Sequence, residues 1–256
     1  DYVNMIKLAA LALYYRARET MQAFPLITDM HSVDMSKELI RSNPLGEVPR
    51  NDYVTQLATV CRAYLVNHAI SEFDGDRIIN LGCGFDTRGY TSTKEWVDVD
   101  RPEVIDARLK LVPEGGNSTT IAGDIQDTVF MDSLTNYVKT LVILEGVLDY
   151  YTQEEVHEIL RSIKKLSSDV TIIFDAIGSL MRGVVHPALA ALGIIQEVKW
   201  GLDSTKELEE LGFIVDEVNF VHSVEKYRWR PVMELLADKP LYVEHASKVY
   251  VMRGVE

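Results

Sequence analysis

The stretch Ile78-Ile79-Asn80-Leu81-Gly82-Cys83-Gly84-Phe85-Asp86 decides how the rest of the sequence is interpreted. An apolar run of strand length leads directly into Gly-x-Gly, where glycine lets the backbone turn tightly and approach a ligand. In an open α/β sheet, ligands bind at the carboxyl ends of strands, near the point where the strand order reverses. Gly82 and Gly84 are therefore candidate binding residues, and a purely structural turn is the alternative.

Short apolar runs alternate with helical stretches after this segment. The predicted strands are 77–81, 96–99, 119–122, 141–144 and 170–174, and the predicted helices between them are 102–111, 130–138 and 153–166. Strands separated by helices of this length indicate βαβ units and a parallel sheet. Two later runs, 213–221 and 248–252, predict strands that finish the sheet, including an antiparallel closing strand.

The first seventy or so residues have a helical pattern. Apolar residues recur at helical spacing over 5–24, residues 42–51 are rich in turn formers, and a second helix is expected from Asn51 or Asp52 to about Glu72. The predicted fold is therefore α/β, with a doubly wound Rossmann-like sheet. An N-terminal helical cap (1–75) belongs to the same domain as the core (76–256), and an insertion on the acceptor side is expected around 178–205.

Composition narrows the possible functions. The 256 residues are 47% hydrophobic and 25% charged, which is ordinary for a globular protein and excludes a disordered or fibrous chain. A formal net charge of −13 is unfavourable for nucleic-acid binding. The longest apolar stretch, near 8–15, is too short to span a membrane, so no membrane partner is expected. Two cysteines exclude a disulfide framework and favour a reducing, cytoplasmic compartment.

Acidic residues after the second and third strands suggest a nucleoside site. Asp98 and Asp100 share one strand face, and either could accept hydrogen bonds from ribose hydroxyls; spacing alone does not choose between them. Asp124 could accept from an adenine amino group. Thr87 occupies the place of the third glycine of dinucleotide-binding loops, which disfavours NAD or FAD, and the chain has no P-loop. A nucleoside site without a phosphate cradle suits S-adenosyl-L-methionine.

Several blocks resemble the leucine carboxyl methyltransferase family, which includes polyketide O-methyltransferases of tetracenomycin type. Asn80-Leu-Gly-Cys-Gly-Phe-Asp-Thr-Arg-Gly-Tyr90 resembles its glycine motif. Trp96-Val-Asp-Val-Asp-Arg-Pro-Glu-Val104 resembles its acidic strand end. Leu144-Glu-Gly-Val-Leu-Asp-Tyr-Tyr-Thr-Gln-Glu154 resembles its Glu-Gly-Val-Leu-x-Tyr-Leu-Thr segment, and Arg16-Ala-Arg-Glu19 resembles the N-terminal helix block of the polyketide-type members. The resemblance extends over residues 5–180 and implies a class I methyltransferase fold with S-adenosyl-L-methionine as cofactor.

The resemblance also implies roles for particular residues. It selects Asp100 as the ribose ligand and pairs Asp124 with Ile125 at the adenine. It makes Glu145 a contact to the cofactor's amino group, and it makes Arg50 the residue that holds the methionine carboxylate.

The expected function is an S-adenosylmethionine-dependent O-methyltransferase that methylates a carboxylate or hydroxyl of a small, acidic or phenolic acceptor. The alternative is a non-catalytic cofactor-binding or scaffolding protein with the same fold. We favour a carboxylate acceptor, because it is ionised at neutral pH and needs no base. For a hydroxyl acceptor, His186 and Tyr150 are the weak catalytic candidates. No spaced cluster of His, Asp or Glu predicts a metal, and the oligomeric state is not evident.

Overall fold

The protein is described by a computed structural model that covers residues 2–42, 52–112 and 115–255. A sheet of seven strands has the order β3-β2-β1-β4-β5-β7-β6. The strands are β1 (Arg77–Leu81), β2 (Glu95–Asp100), β3 (Ser118–Ala122), β4 (Thr140–Leu144), β5 (Val170–Ala176), β6 (Phe213–Phe220) and β7 (Lys248–Gly254). The first five strands are parallel, and β7 pairs antiparallel with both β5 and β6. The predicted α/β sheet and its antiparallel closing strand are confirmed.

Ten α-helices lie among the described residues. They are α1 (Tyr2–Thr20), α2 (Met30–Ser42), α3 (Tyr53–Glu72), α4 (Pro102–Arg108), α5 (Thr128–Ser133), α6 (Gln153–Lys164), α7 (Pro187–Ala191), α8 (Lys206–Glu210), α9 (Lys226–Leu235) and α10 (Pro240–Glu244). The pattern of the sequence predicted α4 and α6 well. No helix among the described residues is long and apolar enough to cross a membrane.

Burial explains why the central strands read as continuous apolar runs. All five residues of β1 and all five of β4 are buried, as expected for strands that helices cover on both faces. One core cluster joins β4 and β5 to α6 through residues such as Val142, Ile172 and Ile159. The edge strand β6 is largely exposed and has a register shift between Val215 and Glu217, a feature common at sheet edges.

Side-chain caps fix the start of several helices. Thr152 and Glu155 form a capping box at α6, with N···O distances of 3.3 and 3.0 Å. Asp127 accepts hydrogen bonds from the backbone of Val129 and Phe130 and so begins α5. The sequence placed this helix at 130–138. In the structure the helix is Thr128–Ser133. Apolar periodicity alone does not show where a helix begins, and here the Asp cap sets its start.

The N-terminal helices cover the carboxyl ends of the strands. α1 packs against α2, α3 and α4. A second apolar cluster joins α1 and α2 to Phe85, in the loop after β1, and to Leu189 and Ile194 from the α7 region. The part of the chain before β1 and the segment around α7 therefore enclose the edge of the sheet where a ligand is expected.

Candidate active site

A cavity of about 570 Å³ lies at the carboxyl ends of the parallel strands. Loops after β1, β2, β3, β4 and β5 form one side of it, and α1, α3 and residues 186–199 form the other. The strand order reverses between β1 and β4, so the cavity lies at the topological switch point of the sheet. Its volume is in the range of small-molecule and cofactor sites.

The glycine turn after β1 brings backbone to the cavity wall. Gly82 and Gly84 have φ values of 71° and 50°, a region in which side chains with a Cβ are strained. A Cβ on Gly82 would lie 2.5 Å from Cγ2 of Val147. Both glycines line the cavity, as expected for binding residues.

The two aspartates of β2 have different surroundings. The Asp98 side chain is buried and accepts hydrogen bonds from Nε1 of Trp96 at 2.9 Å and Nη2 of Arg108 at 2.9 Å. Asp100 lines the cavity, and its carboxylate accepts from the backbone N–H of Gly84 at 2.9 Å and of Arg101 at 2.8 Å. Asp98 is thus committed to the interior, and Asp100 is the aspartate available to a ligand.

The loop after β3 provides the next acidic group. Asp124 and Ile125 both line the cavity, and Asp124 is exposed whereas Ile125 is buried. Oδ1 of Asp124 accepts from the backbone N–H of Gln126 at 2.9 Å, which fixes the turn. A carboxylate beside an apolar side chain suits a flat ring that carries an amino group.

A chain of ion pairs underlies the loop after β4. Nη1 of Arg88 lies 2.8 Å from Asp86 and 2.7 Å from Glu145. Arg62 of α3 lies 3.6 Å from Glu145 and 3.6 Å from Asp175 at the end of β5. Burial alone would raise the pKa of Glu145, but Arg88 and Arg62 hold it below the usual value. Glu145 is therefore ionised and can attract a cationic group.

The residues after Glu145 extend the cavity toward the cap. Asp149, Tyr150 and Tyr151 line it, and Tyr151 lies beside Arg101. Burial raises the pKa of Tyr150, an effect that neighbouring Asp149 reinforces. His186 lines the opposite wall, and burial lowers its pKa.

The helical cap supplies a mostly apolar wall. Met5, Leu8 and Ala12 of α1 line the cavity. The hydroxyl of Tyr15 donates to Asp52 at 2.9 Å, and Asp52 caps α3 through the backbone N–H of Thr55. Arg50, the predicted carboxylate-binding residue, lies outside the described residues.

The structure thus brings together Gly82, Gly84, Asp100, Asp124, Ile125, Glu145, Tyr150 and His186 around one cavity. Trp200 and Trp229 are core residues, with 2% and 6% of their surface exposed. No group of three or more His, Cys, Asp or Glu able to hold a metal occurs among the described residues.

Sequence reasoning missed the arginines and the last aspartate of the ion-pair chain. Arg88 lies within the 80–90 block, and Asp175 is the second-last residue of β5, close to the strand end as Glu145 is, so the sequence could have indicated both. Arg62 carried none, because an arginine in the middle of α3 looks like an ordinary solvated helix residue.

The comparisons with known proteins agree with this geometry. The family model for leucine carboxyl methyltransferases matches residues 14–164. The chain is 28% identical over 138 residues to the tetracenomycin polyketide synthesis O-methyltransferase TcmP of Streptomyces glaucescens, a match that covers 52% of this chain and 50% of that protein. It is 26% identical over 229 residues to the S-adenosyl-L-methionine-dependent methyltransferase dpfgK of Gibberella zeae, with 78% of this chain and 76% of that protein covered. The chain therefore spans about half the length of TcmP and three quarters of the other relative.

Solved structures show the same fold. A putative methyltransferase from Thermobifida fusca superposes with a TM-score of 0.53 at 13% identity, over 94% of both chains. A putative S-adenosylmethionine-dependent methyltransferase from Listeria monocytogenes superposes with a TM-score of 0.56 at 13% identity, over 77% of this chain and 98% of that chain. The sheet is that of a class I methyltransferase.

Proposed function

This chain belongs to the leucine carboxyl methyltransferase family, and we propose that it is an S-adenosyl-L-methionine-dependent O-methyltransferase. The acceptor oxygen is a carboxylate or a hydroxyl of a small molecule that is acidic or phenolic. The observation that carries the proposal is the convergence of Asp100, Asp124 and Glu145, from three different strand ends, on one cavity with the Gly82 turn.

The carboxylates that line the cavity suit the ribose, the adenine and the amino group of the cofactor. Asp100 is placed to accept from ribose hydroxyls, and Asp124 with Ile125 is placed to receive the adenine. The ionised Glu145 is placed to receive the amino group. Three carboxylates at this end, Asp86, Glu145 and Asp175, outnumber the two arginines that form ion pairs with them among the described residues, Arg62 and Arg88, and this negative excess suits a cationic ligand.

When bound, S-adenosyl-L-methionine supplies a methyl group attached to a positively charged sulfur. The protein contributes chiefly by positioning and by excluding water. The ion-pair chain holds Glu145 in place from two sides. Apolar residues of α1 and the segment at 186–199 close the cavity over the strand ends. With the cofactor bound, such a cavity would hold an acceptor oxygen near the methyl group and limit the access of water.

A small organic molecule suits the cavity better than a macromolecule does. The formal net charge of −13 opposes a nucleic-acid acceptor. Both cysteines, Cys61 and Cys83, are free and buried, which supports the cytoplasm as the compartment.

Transfer of a labelled methyl group tests the proposal. The protein is incubated with methyl-labelled S-adenosyl-L-methionine and a panel of aromatic phenols and aromatic acids, and the labelled products are treated with mild base. Methyl esters release labelled methanol, whereas methyl ethers do not, so the assay separates the two acceptor classes. We expect transfer to at least one member, and slower transfer by Asp100→Ala at limiting cofactor, because its cofactor affinity is lower. A protein that binds the cofactor and methylates no member would favour the non-catalytic alternative.

A further inference from the structure

We propose that the acceptor is a hydroxyl group and that the Asp149 carboxylate receives its proton. This inference rests on the proposed methyl transfer and narrows it to one of the two acceptor classes.

Asp149 is fixed at the wall of the cavity. It belongs to a short 3₁₀ turn, Leu148–Tyr150, which follows Glu145. Its carbonyl oxygen accepts from the backbone N–H of Lys199 at 2.7 Å and of Trp200 at 3.3 Å, so the segment at 199–200 holds it against the cap side. Asp149 lines the cavity, and its Oδ1 is buried without a hydrogen-bond partner among the described residues. A buried carboxylate oxygen without a donor is costly, and a ligand hydroxyl would supply the missing donor.

The charges around Asp149 oppose an anionic acceptor. Asp175 of β5 and Arg62 of α3 face it, Tyr150 adjoins it, and the Lys199 side chain is exposed. Arg62 is already shared between Glu145 and Asp175, at 3.6 Å from each. A carboxylate acceptor here would add a negative charge to a site where the carboxylates outnumber the arginines paired with them, whereas a neutral hydroxyl brings no charge.

The proton affinity of Asp149 suits a base. Burial, reinforced by the charge of Asp175 and opposed by Arg62, raises the pKa of Asp149 to about 8. A general base is most effective when its pKa lies near the working pH. Tyr150 is unsuited to this role, because burial raises the pKa of its hydroxyl and keeps it protonated.

The reaction balances without a further reagent. The acceptor oxygen forms a bond to the methyl carbon, and the carbon–sulfur bond breaks with its electron pair left on sulfur. The hydroxyl proton passes to the Asp149 carboxylate and later to water. The products are a methyl ether, neutral S-adenosylhomocysteine and a proton.

The first test needs neither acceptor nor activity. Aspartate is labelled with ¹³C at its side-chain carboxyl carbon, and the carboxyl resonances are titrated by NMR in wild type and in Asp149→Asn. The matched control is Asp132→Asn, an exposed aspartate of α5 away from the cavity. We expect one resonance that titrates near pH 8 in wild type and in the control, and its loss in Asp149→Asn. Titration of the Asp149 resonance below about pH 6 overturns the proposal, since the carboxylate would then be too weak a base.

The second test uses a matched pair of probes, 2-naphthol and 2-naphthoate. We expect methylation of the naphthol, with kcat/KM rising with pH up to about 8, and a loss of about 100-fold or more in Asp149→Asn. Methylation of the naphthoate in preference to the naphthol overturns the proposal. A rise that persists in Asp149→Asn but disappears in His186→Gln also overturns it and assigns the base to His186.

Cofactor affinity separates this inference from the proposed function. Calorimetry should show that Asp149→Asn binds S-adenosyl-L-methionine within about threefold of wild type, because binding does not use the proton-accepting oxygen. Failure of wild type to bind the cofactor contradicts the proposed function itself. Normal binding with unchanged naphthol methylation in Asp149→Asn contradicts only the role of Asp149.

Discussion

Glu19 of α1 and Arg228 of α9 form a bidentate ion pair, with N···O distances of 2.8 and 2.9 Å. The Glu19 side chain is completely buried, and it also accepts from the backbone N–H of Leu26 at 2.9 Å and from Nε2 of Gln56 at 3.3 Å. One carboxylate therefore ties the N-terminal cap to α3 and to a helix that lies between the last two strands. The position of the cap over the cavity depends on this pair.

Replacement of Arg228 by methionine leaves a buried carboxylate without its cation. Arg228→Met is expected to lower the free energy of unfolding by about 3 to 5 kcal/mol, the usual range for breaking a buried pair from one side. Urea denaturation measures the change. Arg253→Met is the matched control, because Arg253 makes a similar pair with Asp216 at 2.7 and 3.0 Å in an exposed setting. That control should change stability little. Equal effects of both substitutions would contradict a stabilising role for the buried Glu19–Arg228 pair.

The same pair predicts a pH dependence. Burial alone would raise the pKa of Glu19, but its hydrogen bonds from Arg228 and Leu26 hold it below the usual value. A carboxyl group whose pKa is depressed on folding stabilises the protein above its unfolded pKa, about 4.3 for glutamate, and loses that contribution as the pH falls. The difference in unfolding free energy between wild type and Arg228→Met should therefore shrink below about pH 4.

Substitution of Gly82 distinguishes the effect of backbone strain from that of a steric clash with Val147. Gly82→Ala should destabilise the protein and weaken cofactor binding, because φ is +71° and the new Cβ would lie 2.5 Å from Val147. Gly183→Ala is the control, with φ of +80° and nothing within 4 Å of the added Cβ, so it should cost only about 1 kcal/mol of strain. Adding Val147→Ala to Gly82→Ala should restore part of the stability. A loss in Gly82→Ala no larger than in Gly183→Ala would contradict the close approach.

Several features of this protein could be predicted from its sequence, and others could not. The central strands of the sheet could be predicted because β1 and β4 are buried on both faces and are therefore largely apolar. Asp100, Asp124 and Glu145 could be predicted because each lies at or just after the end of a strand, and these strands end at the same edge of the sheet. The choice of Asp100 over Asp98 came only from the family resemblance, since both lie on one strand face.

The remaining features depend on tertiary contacts that leave no periodic signal. The two α-helices between β6 and β7 are short, and α9 contains Pro231, so neither shows a clear apolar stripe. The ion pairs of Arg62 and Arg228 join residues far apart in the chain. Nothing in the sequence around those arginines distinguishes them from solvated surface residues.

Two arginines are candidates for binding the carboxylate of the cofactor. The family resemblance assigns Arg50, whereas Arg62 lies beside Glu145 and carries a buried Nε without a hydrogen-bond partner among the described residues. A guanidinium fork binds a carboxylate in two places. Arg50→Ala should weaken binding of the intact cofactor about tenfold or more and leave a decarboxylated analogue almost unaffected.

Arg62→Ala provides the comparison. Because Arg62 pairs with Glu145 and Asp175, its loss should weaken the intact cofactor and the decarboxylated analogue alike. If Arg62→Ala discriminates between the two ligands and Arg50→Ala does not, the assignment of the carboxylate to Arg50 is wrong.

The Asp149–Asp175 pair predicts how stability changes with pH. The pKa of Asp149 is raised to about 8 by burial and by Asp175, well above the value of about 3.9 for an unfolded aspartate. Between these values the folded protein binds the proton and the unfolded chain does not, so the free energy of unfolding falls as the pH rises from about 4 to 8. Asp149→Asn should lose much of this decline and gain stability relative to wild type at pH 8. Parallel stability curves for the two proteins over this range would show that Asp149 is ionised throughout.

Calorimetric titration of the protein with S-adenosyl-L-methionine, S-adenosylhomocysteine and NAD tests the central claim most directly, because it needs no acceptor. The account predicts that the first two ligands bind and NAD does not. It also predicts that Asp100→Ala weakens cofactor binding by roughly 1 to 3 kcal/mol through the loss of hydrogen bonds to the ribose, while Asp132→Asn binds like wild type. Unchanged cofactor affinity in Asp100→Ala, or binding of NAD in preference to S-adenosyl-L-methionine, would contradict it.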